Sequence, residues 1–512
     1  MDKQAFRLIN LVIILFLSTH SVRAENIPGY SQDGLARILT VLGREVAKQE
    51  LPGAVVILAR DGKIIFHEAI GNRNGAEPGE LTKASVFRLY SMIKPIVTTA
   101  AMILVERGKL NLDDPVSKYI PSFGNMRVLR NDGRLEEVDR PILVVDLVQH
   151  TSGLTYGSSA HGTVRSMYKS TCFVCPINLA KLADVIAKLP LVHQPGIKWE
   201  YGRSIDVLSR VVEVASGMNL EAFLNSEVFR PLGMQSIGFG TREGRVDLLA
   251  GGGPVPENPT LHADSYLLSS AADYFRFSQM ILNGGELDGN RILKSETVQL
   301  MMQDHLSRRN IPPGKDNWID NKWGFGYGFG VNMESIDKTS KFPAPLGTVF
   351  WSSYGGSTFW IDPANKIVGV FMMALPAKRL KYRRLIRRLV YVGIVDQSRP
   401  ESVGLMPSDR LTGSALLNHV FGSRMEGRAT NGLWVTELAL DGRGKDYWKG
   451  KFIGNTVYRI ERDTLILDGP ILDPPHRECR LYRNPMGNKA SLNEYVAICN
   501  HGTYPYATSS LQ

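Results

Sequence analysis

Phe87-Arg88-Leu89-Tyr90-Ser91-Met92-Ile93-Lys94-Pro95 is the stretch on which the reading of this 512-residue chain turns. It contains Ser-x-x-Lys, and residues 94–107 continue with helical periodicity until Gly108 closes the run. On a helix, a spacing of three sets both side chains on one face, so the Lys94 amine can reach the Ser91 hydroxyl. Near neutral pH a serine hydroxyl needs a base to become a nucleophile, and a lysine serves when burial or neighbouring charge keeps its amine neutral. A serine at a helix N-terminus also has backbone N–H groups and the helix dipole aimed at developing negative charge. The motif is short, however. Ser166-Met167-Tyr168-Lys169 and Ser335-Ile336-Asp337-Lys338 match it too, so context has to separate the three.

Upstream, residues 33–48 have helical periodicity. Pro52 and Gly53 then introduce Ala54-Val55-Val56-Ile57-Leu58-Ala59, an Asp61-Gly62 turn and Ile64-Ile65-Phe66-His67, which is a β-hairpin signal. Downstream, residues 110–330 mix helices with Gly- and Pro-punctuated loops, and strand-like runs return at 348–352, 357–361 and 367–374. A basic segment follows, with Lys378, Arg379, Lys381, Arg383, Arg384, Arg387 and Arg388 interleaved with Leu380, Leu385, Ile386 and Leu389. It reads as a core-packed amphipathic helix with a solvated basic face rather than a membrane or nucleic-acid site. The order of elements is that of a mixed α/β (α+β) architecture, antiparallel strands with a helical insertion.

The stretch 87–95 does not stand alone. Together with Leu104-Val105-Glu106-Arg107-Gly108-Lys109-Leu110 and Leu112-Asp113-Asp114-Pro115-Val116 it resembles class C β-lactamase-like serine hydrolases. That superfamily holds family VIII esterases, D-alanyl-D-alanine carboxypeptidases and class C β-lactamases. The resemblance runs on through His150-Thr151-Ser152-Gly153-Leu154, Pro195-Gly196-Ile197-Lys198-Trp199-Glu200-Tyr201, Pro231-Leu232-Gly233-Met234 and Leu282-Asn283-Gly284-Gly285-Glu286-Leu287. It covers about residues 30–395 and implies a β-lactamase/transpeptidase-like antiparallel sheet flanked by helices. It also implies Ser91 as nucleophile, Lys94 as its base, and Tyr201 as the partner that shares the proton and later protonates the leaving group.

Two motifs depart from the family pattern. The usual Tyr-x-Asn reads Tyr201-Gly202-Arg203 here, so a cation stands where an amide would orient substrate. The third motif is Lys-Thr-Gly in β-lactamases and often Trp-Gly-Gly in the esterases; here the run is Trp351-Ser352-Ser353-Tyr354, followed by Gly355-Gly356-Ser357. Tryptophan at its head resembles the esterases, and the missing lysine removes a partner for a β-lactam carboxylate. The resemblance thus places Arg203, Trp351, Ser352 and Ser353 along the substrate, with the N–H groups of Ser91 and Tyr354 as the oxyanion hole.

Beyond the resemblance, 512 residues call for at least two domains. Ser398-Arg399-Pro400-Glu401-Ser402 and Met406-Pro407-Ser408-Asp409 read as a linker (399–409), closing a hydrolase domain over 25–398. Residues 410–512 read as a small β-rich C-terminal domain, from Leu433-Trp434-Val435-Thr436, Val457-Tyr458-Arg459-Ile460, Leu465-Ile466-Leu467 and Tyr495-Val496-Ala497-Ile498. At the other end, Lys3 and Arg7 precede an apolar run over 8–17, and Val22-Arg23-Ala24 offers small residues before a cut ahead of Glu25. Residues 1–24 are therefore expected to be a secretory signal peptide, with an uncleaved anchor as the alternative, and the protein to be exported to the periplasm or beyond. No other stretch reaches the length of a membrane span. Cys172, Cys175, Cys479 and Cys499 then permit two local disulfides, 172–175 and 479–499.

Net charge is +10, falling to +8 without residues 1–24, which suits anionic envelope polymers without naming a partner. His150, His262 and His305 do not amount to a Ser-His-Asp site, since the chain has no Gly-x-Ser-x-Gly elbow. No metal-ligand spacing and no phosphate-binding glycine loop is present, so no metal or cofactor is expected. The expected chemistry is two-step acyl transfer on a small-molecule ester or amide, with esterase action on short acyl groups first. D-alanyl-D-alanine carboxypeptidase or β-lactamase action is the enzymatic alternative. An inactive peptide- or glycan-binding protein is the alternative of another class, and intact Ser91, Lys94 and Tyr201 argue against it.

Overall fold

The computed structural model describes residues 32–394 except 74–78, 131, 158–161, 174–177, 241–248, 252–254, 256–265, 308–322 and 334–343; past 394 it describes little beyond the strands between 423 and 510. The proposed signal peptide and linker, Cys175, His262 and the Ser335–Lys338 motif lie outside the described residues.

In chain order the elements that build the site are α1 (Gln32–Ala47), β1 (Gly53–Arg60), β2 (Lys63–Gly71), α2 (Ile93–Glu106), α3 (Ser204–Ser216) and α4 (Ala271–Leu282). Then come β3 (Trp323–Phe325), β4 (Gly330–Asn332), β5 (Val349–Ser352), β6 (Gly356–Asp362), β7 (Ile367–Ala374) and α5 (Arg379–Ile394). The seven strands form one antiparallel sheet in the order β3-β4-β5-β6-β7-β1-β2. β1 therefore sits inside the sheet between the chain's two distant halves, with Ile57 opposite Val370 and His67.

Position explains the sequence of β1. Every one of its residues is buried, because both faces of the sheet are covered. Val55, Ile57 and Ala59 enter one core with α2 and α4, while Ala54, Val56 and Leu58 enter a second core with α1 and α5. β7 splits likewise, with Val368, Val370 and Met372 on one side and Ile367, Phe371 and Met373 on the other. A continuous apolar run is what period-2 alternation becomes when both faces are dry. α2 is buried from Ile93 to Leu104, which is why its apolar residues do not keep to one stripe.

α5 corrects one expectation. Lys381, Arg384 and Arg388 do face solvent, and Lys381 pairs with Glu45 of α1 at 2.5 Å. Arg383 and Arg387, each 4% exposed, are instead turned inward against the sheet. Spacing of four puts them on one face with Arg379, and that face meets β6.

The C-terminal strands Ser423–Ala429, Gly432–Leu438, Arg443–Trp448, Lys451–Glu461, Thr464–Asp468, His476–Arg483, Tyr495–Cys499 and Gly502–Ser510 pair in sequence order, all antiparallel. The first closes on the last, Ser423 opposite Ser510, so the β-rich region is an eight-stranded closed barrel. Closure leaves no unpaired edge.

Candidate active site

Ser91 lies in a single 3-10 turn, Tyr90–Met92, that runs straight into α2. Tyr90, the residue before it, has φ 46°, a strained conformation for an aromatic side chain. Its surroundings hold it there. The Arg88 guanidinium lies 4.3 Å from the Tyr90 ring centre, and the Tyr354 ring meets it edge-on at 5.8 Å. The fully buried Tyr274 donates its hydroxyl to the Met92 carbonyl at 2.9 Å, tying down the other end of the turn.

One helical turn on, Lys94 is buried, and its Nζ donates to Ser91 Oγ at 3.3 Å. From 110 residues away, Tyr201 donates its hydroxyl to the same Ser91 Oγ at 2.7 Å. The Lys94 Nζ also lies 5.2 and 5.5 Å from the ring centres of Tyr201 and Tyr156. This is the hydrogen-bond reach that base-assisted attack by a hydroxyl requires. The other described Ser-x-x-Lys behaves differently, since Ser166 Oγ donates back to the Gly162 carbonyl of its own helix.

Tyr201 is aimed by packing. Its ring is stacked on Trp199 with centres 6.0 Å apart, and it is flanked by His150 at 5.0 Å, Tyr156 at 5.3 Å and Trp351 at 5.4 Å. In the sequence Trp199 and His150 are only members of motif blocks; the fold makes them the cage of Tyr201. Gly202 then lets the chain pass close to residues 154–155. A Cβ there would stand 2.3 Å from the Leu154 carbonyl oxygen and 2.4 Å from Thr155 Cα, both backbone. Gly202→Ala is therefore expected to cost about 3 kcal/mol, the upper end of the overpacking range, and to displace Tyr201 as well. Denaturant unfolding beside turnover checks this, and a variant within about 0.5 kcal/mol of the parent, the usual range of a surface change, would disprove the close packing.

The third-motif strand reaches the turn that carries Ser91, where the Tyr354 ring meets that of Tyr90. Trp351 and Ser352 are half-buried at the end of β5, and Ser352 Oγ shares a 2.8 Å hydrogen bond with Thr358 Oγ1. Ser353 corrects the expectation of a substrate contact. It is 1% exposed; its hydroxyl donates to the Arg88 carbonyl at 3.4 Å and accepts from the Gly355 N–H at 3.1 Å. Its place is inside the turn. Tyr354, at the tip, is exposed, and among the described residues its N–H meets no backbone acceptor. Arg203 is 12% exposed, its guanidinium lying 3.9 Å from the Phe173 ring centre and 4.7 Å from that of Tyr156 while Nη1 pairs with buried Asp206 at 3.4 Å. The cation in the altered second motif is thus packed against the Tyr156 and Phe173 rings.

The remaining expectations divide. Cys172 is disulfide-bonded, next to the Phe173 that carries Arg203. In the barrel, the register sets Cys479 directly opposite Cys499. His305 is engaged elsewhere, stacked on Tyr327 at 4.3 Å with Nε2 2.8 Å from the Leu300 carbonyl. No helix among the described residues is long and apolar enough to cross a membrane.

Comparison with known proteins agrees with this fold. An uncharacterised Mycobacterium tuberculosis protein is 31% identical over 351 residues, 63% of this chain and 86% of that protein. Esterase EstB of Burkholderia gladioli is 34% identical over 212 residues, 41% of this chain and 52% of the esterase. Among solved structures, EstCE1, described as a hydrolase with promiscuous acyltransferase activity, superposes with a TM-score of 0.58 at 26% identity, covering 70% of this chain and 99% of its own. The Beta-lactamase family model matches residues 39–391, and the chain belongs to that family of serine hydrolases and acyltransferases.

Proposed function

We propose that this protein is an exported esterase that works through an acyl-enzyme on Ser91, with small short-acyl esters as its substrates. The observation that carries the reading is the convergence of the Lys94 amine and the Tyr201 hydroxyl on one serine oxygen, at 3.3 and 2.7 Å. Ser91 Oγ attacks the ester carbonyl carbon, and its proton passes to the Lys94–Tyr201 pair. The tetrahedral oxyanion faces the N–H groups of Ser91 and Tyr354. As the carbon–oxygen bond to the alcohol breaks, Tyr201 returns the proton to the leaving oxygen. Water, deprotonated by the same pair, then releases the acid and restores Ser91. Trp351, beside Tyr201, lines the acyl side, and Ser352 stands next to it on the strand.

The esterase choice rests on tryptophan where β-lactamases carry the motif lysine, and on the likeness to EstB. Export rests on residues 1–24. The test is hydrolysis of p-nitrophenyl butyrate beside a chromogenic cephalosporin, with a fluorophosphonate label located by mass spectrometry. Ester turnover with the label on Ser91 is the expected result. Cephalosporin turnover at a comparable rate would replace the esterase by a β-lactamase. A label on no residue, with neither substrate turned over, would leave a binding protein.

A further inference from the structure

We propose that Arg383 is a positioning residue for the oxyanion hole: a buried guanidinium on α5 that grips the Ser353–Gly356 turn from behind and so aims the Tyr354 N–H at the reacting carbonyl. The inference rests on the reading of Ser91 as nucleophile and Tyr354 as donor.

Arg383 is 4% exposed. Its Nε donates to the Gly356 carbonyl at 3.0 Å, and its Nη2 donates to the Ser353 carbonyl. Those two oxygens bracket the tip formed by Tyr354 and Gly355. Carbonyl oxygen 353 and N–H 354 belong to one planar trans peptide unit and point in opposite directions. Pinning the oxygen toward α5 therefore fixes the direction of the N–H on the other side of the strand. A cation on the oxygen also polarises the amide, making its N–H the stronger donor in a dry site.

Within the turn the Gly356 N–H also donates to the Ser353 carbonyl at 3.1 Å, so Arg383 adds a side-chain grip to a backbone hydrogen bond on the same oxygen. Gly356 has φ 122°, and a Cβ there would meet the Met373 side chain at 2.5 Å; one on Gly355 would come within 3.1 Å of the Tyr90 ring. Arg379, one helical turn before Arg383, lies 5.2 Å from the Tyr354 ring centre and holds the side chain of the same residue. Among the described residues no carboxylate pairs with Arg383, and a buried cation without one is costly to fold. A neutral amide could satisfy a carbonyl without that cost, so the retained charge needs a use beyond folding. Burial, and after it the neighbouring Arg379, draw the guanidinium pKa down to about 9.

The experiment uses the full-length protein and its Arg383→Met, Arg383→Lys and Arg384→Ala variants, the last removing an exposed cation of the same helix. Active sites are counted by titration to completion with a fluorophosphonate, so that kcat is read per working site. Arg383→Met is expected to lower kcat per site about 10²-fold, the lower end of the loss for one oxyanion donor, with KM changed less than about threefold, as a loss confined to the transition state requires. Affinity for a butyl trifluoromethyl ketone, which forms a tetrahedral adduct on the serine, should fall by the same factor. Arg383→Lys keeps the charge but not the two-point grip and should be intermediate, and Arg384→Ala should match the parent. Wild-type kcat per site in Arg383→Met overturns the proposal, and so does a fall in the number of sites alone. Should Arg383→Met fail to fold, unaltered kcat and ketone affinity in Arg383→Lys do the same. A parent enzyme with neither ester turnover nor a fluorophosphonate-titratable serine sinks the hydrolase reading itself, a result distinct from unaffected variants of an active parent.

Discussion

Replacing Lys94 with methionine is expected to lower kcat for ester hydrolysis by about 10³- to 10⁴-fold, the upper range for general acid–base groups. The fold should survive, because methionine keeps the length and flexibility of the lysine stem and Lys94 already sits in an apolar helix, 1% exposed. What the variant lacks is a nitrogen 3.3 Å from the Ser91 hydroxyl. Tyr201 still reaches that oxygen at 2.7 Å, but it does so as a donor, and a donor cannot take the serine's proton unless another group takes its own. The amine is the group placed to do so, since its Nζ meets the same Ser91 oxygen and lies 5.2 Å from the Tyr201 ring centre. Steady-state kinetics beside circular dichroism decide the matter. A folded Lys94→Met protein within tenfold of the parent would mean that the base lies elsewhere.

Much of this arrangement was legible before any coordinates. The hairpin over 53–71 and the strand 367–374 announce themselves as apolar runs around tight turns, and their mutual pairing follows once both faces need covering. Ser91 and Lys94 are readable because a helix brings residues three apart to one face, a local rule. Tyr201 is 110 residues from its partner, and only the order of motif blocks pointed to it. Features set by tertiary contact were out of reach. Whether Arg383 faces water or the sheet depends on what α5 packs against, and a dense run of cations reads as a solvated face until β6 is laid beneath two of them. Ser353 looked like its neighbour Ser352, although the turn sends one hydroxyl inward to Arg88 and leaves the other on the strand with Thr358. In the barrel, four of the eight strands carry apolar runs and were seen. Ser423–Ala429, Arg443–Trp448, His476–Arg483 and Gly502–Ser510 are too polar to register as strands, although a closed barrel needs only alternate residues to be apolar.

The largest effect expected of a single change is that of Ser91→Ala, a loss on the order of 10⁵- to 10⁶-fold in kcat if the residues act as one unit. The double variant Ser91→Ala/Lys94→Met should then be no worse than Ser91→Ala alone. The reason is structural: both Lys94 and Tyr201 spend their contact with the reaction on the same Ser91 oxygen, so once that oxygen is gone neither has a proton to move. Independent contributions would instead multiply, giving a double variant lower by a further factor of about 10³, the loss a base contributes alone. Residual turnover in Ser91→Ala should come from water attacking a carbonyl held between the backbone N–H groups of positions 91 and 354, because the donor at position 91 survives the loss of the hydroxyl. That residue of activity should disappear into background when Arg383→Met is added, which ties the serine's chemistry to the buried arginine behind the strand. A Ser91→Ala protein that keeps more than about a hundredth of the parent rate would be incompatible with a serine nucleophile, and the convergence on Ser91 would then have to be read as packing.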